Sequence, residues 1–148
     1  ISMFERCLYF NLNTLTREVN RLWDDAFSKI GLSPSHAYLM RAVFNAPGIT
    51  QKNLADELKL SPSTVTRFID TLAARGLLER RNTGEDARES AIYPGKESKT
   101  IKTELENIAR GLSKQVRAII NEADVGDLVV RLREAKAALQ QAKNHAKP

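Results

Sequence analysis

Between Ser61 and Arg75 the side chains that point away from an apolar stripe are mostly short hydroxyls and cations, Ser61, Ser63, Thr64, Thr66, Arg67 and Arg75, with one acid, Asp70. The stripe itself is Val65, Phe68, Ile69 and Leu72, at i, i+3, i+4 and i+7, which is one face of a helix. Hydroxyls both donate and accept, and a guanidinium presents a fork of donors, so the polar face suits the base edges and phosphates of a major groove. Arg67 is the strongest single candidate, because it can meet guanine O6 and N7 or grip a phosphate. Gln51 and Lys52, at the start of the preceding helical pattern, add an amide and an ammonium. Nothing comparable exists for bond-breaking chemistry. There is no glycine-rich phosphate loop, no HExxH and no nucleophile set beside a base other than the lone Cys7, so no catalytic residue is assigned and an enzyme is not expected.

The elements that position these residues are legible from local signals. Ser61-Pro62 supplies an N-cap followed by proline at the first helical position, and Gly76 supplies the left-handed residue that ends the helix. Thr50 caps a shorter helix over Gln51–Leu58 with Leu54, Ala55 and Leu58 inward. Ala55 is small enough to let the two helices approach, with Val65 packed against it. Lys59 occupies the turn where glycine is common. Ser33-Pro34 opens an earlier helix that Ala46-Pro47-Gly48 breaks. Beyond Gly76, two short strands around a polar loop with Gly84 predict a β-hairpin, a wing, in which Arg80 and Arg81 alternate sides. Arg81 is taken as the one facing nucleic acid.

The flanks read differently. Leu8, Leu12, Leu15, Val19, Leu22 and Ala26 form a heptad seam in a helix over residues 4–30, roughly 40 Å long at 1.5 Å per residue. A helix of about 25 residues from Lys96 carries Ile101, Leu105, Ile108, Leu112, Val116 and Ile119. Asp124 is expected to cap a last helix with Leu128, Val129, Leu132, Ala135 and Leu139. The expected class is mainly α with a small β-hairpin wing: a winged helix-turn-helix over 33–95, with long dimerisation helices from 1–32 and 96–148, one structural domain overall.

Composition bounds the rest. The 148 residues are 42% hydrophobic and 28% charged, with one cysteine and a net charge of +5. No apolar run is long enough to span a membrane, nothing at the N-terminus reads as a signal peptide, and one cysteine permits no intrachain disulfide, so a cytoplasmic setting is expected. The charge is unevenly placed: residues 33–95 hold eight Lys/Arg against seven Asp/Glu, and 96–120 hold six against three. Affinity for DNA therefore has to come from placement of cations. His36, His145 and the distant Cys7 have no metal-ligand spacing, and neither a metal nor a cofactor is expected.

The order of elements, together with Gly48-Ile49-Thr50-Gln51, Leu54-Ala55, Ser63-Thr64-Val65-Thr66-Arg67, Leu72, Arg75-Gly76-Leu77 and Asp86-x-Arg88, resembles the MarR family of bacterial transcriptional regulators across essentially the whole chain. The resemblance implies a homodimer that binds a pseudopalindromic double-stranded operator, a repressor released by a small-molecule effector. Arg88 would enter or flank the minor groove and Asp86 would orient it. Ala87 stands where the family often has a further arginine, and Tyr93-Pro94-Gly95 departs from the usual exit from the wing. A small aromatic or phenolic effector is implied between the dimerisation helices and the winged module, with Arg17, Trp23, His36, Tyr38 and Met40 as its lining. Two other readings stay open. Arg6-Cys7-Leu8-Tyr9-Phe10 loosely resembles the neighbourhood of the peroxide-sensing cysteine in OhrR-like members, where a nearby arginine favours thiolate. The near-neutral charge of 33–95 also suits a winged module for protein interaction without specific DNA binding.

Overall fold

A computed structural model describes residues 2–82 and 90–146. Along the chain run α1 (Leu8–Ser28), α2 (Pro34–Asn45), β1 (Ile49–Thr50), α3 (Gln51–Leu58), α4 (Pro62–Ala74), β2 (Leu78–Arg81), β3 (Ala91–Pro94), a 3-10 turn (Lys96–Thr100), α5 (Lys102–Ile120) and α6 (Glu122–His145). The chain divides into two compact units, residues 1–108 and 109–148. The mainly helical class with a small β wing is what the sequence predicts.

The helix starts in the first unit follow from the caps. Ser33, Thr50 and Ser61 all have extended backbone, and their hydroxyls accept from the amides of His36, Asn53 and Thr64, while Pro34 and Pro62 take first-turn positions that need no donor. Each cap of this kind contributes about 1 kcal/mol. The C-terminal end of α3 is closed by Lys59 at φ 56° and ψ 40°, with Leu60 N–H donating to Ala55 O at 3.1 Å. Lysine has therefore taken the left-handed position that glycine would fill without steric cost.

The core of this unit joins Phe27, Ala37, Leu39, Met40 and Val43 to Leu54, Ala55, Val65, Ile69, Leu72, Leu77, Leu78, Ala91, Ile92 and Leu105. Burying Val65, Ile69 and Leu72 stabilises the placement of α4 by about 1.5–3 kcal/mol each.

Parts of the fold differ from expectation. The predicted pairing of β2 with β3 is present, but a third strand joins it: Ile49 and Thr50 pair antiparallel with Ile92 and Ala91, giving a sheet in the order β1-β3-β2. The long helix expected from Lys96 begins as a 3-10 turn, and Gly95 before it is packed so tightly that a Cβ would meet Gly76 O at 2.2 Å. Backbone bonds from Gly95 to Leu77 O and from Glu97 to Gly76 O hold that turn to the end of α4. Asn121, at φ 98°, caps α6 by accepting from Ala123 N–H, and Asp124 lies instead in the first turn. A carboxylate there still complements the positive end of the helix dipole.

The seam residues of α1 remain open: Leu8, Leu12, Leu15 and Val19 are exposed, and α6 has no buried residue at all. The helix starts at Leu8, later than predicted. Upstream, the Asn11 amide donates to the carbonyls of Phe4, Glu5 and Cys7, and Phe4 stacks on Phe10 with centroids 5.1 Å apart. Among the described residues no helix is long and apolar enough to cross a membrane.

Candidate nucleic-acid interface

The outer face of α4 separates into side chains already occupied and side chains left open. At its N-terminus Ser61 Oγ lies 2.8 Å from Thr64 Oγ1 and 3.2 Å from Ser63 Oγ, so three hydroxyls cluster over the first turn. One turn on, the Gln51 amide donates to Thr66 Oγ1, and Thr66 donates in turn to Pro62 O at 2.9 Å. Gln51 and Thr66, both expected at DNA, thus fasten α3 to α4 and are half-buried in doing so. From the sheet side, Arg80 reaches Asp70 at 2.5 Å and Thr66 O at 3.4 Å. Arg81 lies over the Tyr93 ring at 4.0 Å and pairs with Glu79 at 3.5 Å. At the far end Arg75 donates to Gly31 O at 2.9 Å.

Lys52, Ser63 and Arg67 remain exposed. Among the described residues the Arg67 guanidinium has no ion pair. It lies 5.6 Å from the centre of the Phe68 ring, whose other neighbour is His36 in an edge-on contact at 4.7 Å. The arrangement offers a cation and hydroxyls from the N-terminal half of a rigidly braced helix, which is where helix-turn-helix proteins place base contacts. Asp86 and Arg88 of the wing lie outside the described residues.

Residues 30–89, which contain α4 and its braces other than Tyr93, match the family model for MarR. Over those residues the chain is similar to the MarR family.

The relatives it matches are named as transcriptional regulators, and the chain has the winged-helix fold of the solved MarR structures. The HTH-type transcriptional regulator MgrA of Staphylococcus aureus is 28% identical over 101 residues, covering 68% of this chain and 69% of MgrA. The transcriptional repressor CouR, solved bound to a 23-mer DNA duplex, superposes with a TM-score of 0.81 at 16% identity, over 92% of this chain and 98% of CouR. PcaV of Streptomyces coelicolor, solved with its natural ligand, gives 0.75 at 22% identity over 92% and 98%. At these identities the structural likenesses speak to the fold.

The residues expected at an effector are dispersed in this winged-helix fold. Trp23 and Tyr38 meet, with Trp23 Nε1–H donating to the Tyr38 hydroxyl at 3.0 Å. They line a hollow of about 400 Å³ with Val19, Pro34, Leu58 and Leu60. Met40 is fully buried in the core, Arg17 is exposed on α1, and His36 packs against Phe68. The imidazole of His36 is held below its ordinary value of 6.5, first by partial burial and then by the positive charge of Arg75. A second hollow, about 520 Å³, is bordered by Tyr38, Phe44, Lys102 and an Arg41–Glu106 ion pair at 3.1 Å. Sequence reasoning missed Arg41, Lys102 and Glu106, since polar residues on amphipathic helices carry no mark of a shared hollow. Cys7 is half-buried as the residue preceding α1 and makes no side-chain cap.

Proposed function

We propose that the chain is a MarR-family regulator, a homodimeric, cytoplasmic repressor whose two copies of α4 read the half-sites of a pseudopalindromic operator. The observation that carries the reading is the division of α4: its flank is tied down by Gln51, Asp70 and Arg75, while Ser63 and Arg67 stay open beside Lys52. Dimerisation is supported by apolar residues left uncovered on the long helices, among them Leu8 at 69%, Ile119 at 70% and Leu139 at 67% exposure. Two-fold symmetry then sets the half-sites about 34–36 Å apart. Arg88 extends the contact towards the minor groove and Asp86 orients it, by the family resemblance of Asp86-x-Arg88.

Release by a small aromatic or phenolic effector fits the hollow of Trp23 and Tyr38, which offers two rings and a hydroxyl. The effector lowers operator affinity to the extent that it prefers a dimer whose two reading helices no longer match the half-sites.

Fragments selected from genomic DNA supply the operator and its neighbouring genes. On that operator, Arg67→Ala weakens binding by about 5- to 160-fold, the equivalent of roughly 1–3 kcal/mol for a base contact. A wild-type protein with no steep salt dependence and no response to Arg67→Ala would favour the protein-interaction module.

A further inference from the structure

The cation at the far end of α4 is used unlike the one in its middle. Arg75 sits eight residues beyond Arg67, about 12 Å further along the helix axis, away from the N-terminal turns that meet base edges. Its Nη1–H donates to the carbonyl of Gly31 at 2.9 Å, and Nη2 would lie 3.4 Å from a Cβ on that glycine. Gly31, at φ +69°, closes the C-terminal end of α1. A guanidinium there complements both the carbonyl and the negative end of the helix. Phe68 lies seven residues before Arg75, hence on the same side of α4, and receives the edge-on contact of His36 from α2. Two points of α4, two turns apart, are therefore seated on the α1–α2 corner. The depressed imidazole of His36, caused in part by Arg75, agrees with that geometry.

We infer that Arg75 is a positioning residue that sets the angle of the recognition helix by clamping Gly31 at the α1–α2 corner, and does not contact phosphate. The inference rests on the reading of α4 as the DNA-reading helix. It gives the corner a function: a displacement at the end of α1, whose Trp23 is bonded to Tyr38 of α2, is passed to α4 through Arg75 beside the His36–Phe68 contact.

The test uses the full chain and its selected operator, with variants Arg75→Ala and Arg75→Met, the second keeping the apolar stem. Affinity is measured from about 50 to 200 mM salt, on operators with the native half-site spacing and with one base pair added or removed. The clamp predicts about a tenfold loss on the native operator, an unchanged slope of log K against log salt, and a flatter preference among the three spacings. A slope reduced by about 0.9 would identify a phosphate contact and overturn the assignment. Equal losses at all three spacings, with a lowered melting temperature, would reduce Arg75 to general stability and overturn it too. A wild-type protein that binds no DNA fragment would instead remove the DNA reading itself, and this assignment with it.

Discussion

Two helices of this chain, α4 and α6, show how little length says about what a helix needs. α4 has 13 residues and buries Val65, Ile69 and Leu72 within its own unit. α6 has 24 residues and buries none, leaving Val129, Val130, Leu132 and Leu139 between 41% and 67% exposed. The short helix is finished by its own chain: capped by Ser61, seated on α2 and α3, and braced by polar side chains from three directions. The long one has its apolar residues still to cover. In the proposed dimer the first kind of helix supplies recognition and the second supplies the spacing between two copies.

The largest effect expected from breaking this contrast is at the open helix. Leu132→Asp places a charge among the uncovered residues of α6. It should give a monomer by sedimentation and cost about 100-fold or more in operator affinity, because binding at the second half-site is no longer intramolecular. Ile69→Ala attacks the closed helix and should cost about 2–5 kcal/mol in denaturant unfolding. As a control, Leu139→Ala in the monomeric Leu132→Asp background should stay within about 0.5 kcal/mol, since that side chain is already in water. Smaller in effect is the response of α4's seat to pH. The folded imidazole of His36 binds its proton less readily than the unfolded one. Stability is therefore complete above about pH 6.5 and declines as pH falls below that value towards and through the depressed folded one. His36→Gln should remove this part of the pH profile. Least of all, Lys59→Gly should raise stability by roughly 0.5–1 kcal/mol, because it relieves the left-handed strain, a gain partly offset by the freer unfolded chain.

The closed region was also the more legible one. Ser33-Pro34, Thr50 and Ser61-Pro62 act on amides three residues away, so sequence alone locates the starts of α2, α3 and α4. β1 escaped because two residues have no periodicity and their partners, Ala91 and Ile92, are about forty positions on. The cap of α6 was misplaced to Asp124 because Asn121 and Asp124 are chemically similar cap formers, and only the backbone at φ 98° separates them. Within the site, the apolar stripe of α4 was readable from spacing, but the tasks of its polar residues were not. Gln51, Thr66 and Arg75 look the same in sequence whether they face a base, a neighbouring hydroxyl or the carbonyl of Gly31. Arg67 and Arg75 differ only in what the fold brings to them.

The proposed dimer requires that two copies of α4 meet one operator. Hydroxyl-radical footprinting of the wild-type complex, combined with its mass in solution, should find two protomers per operator. Two protected half-sites should lie about 34–36 Å apart on one face of the duplex. One protomer protecting a single half-site with the affinity of the whole operator would contradict it.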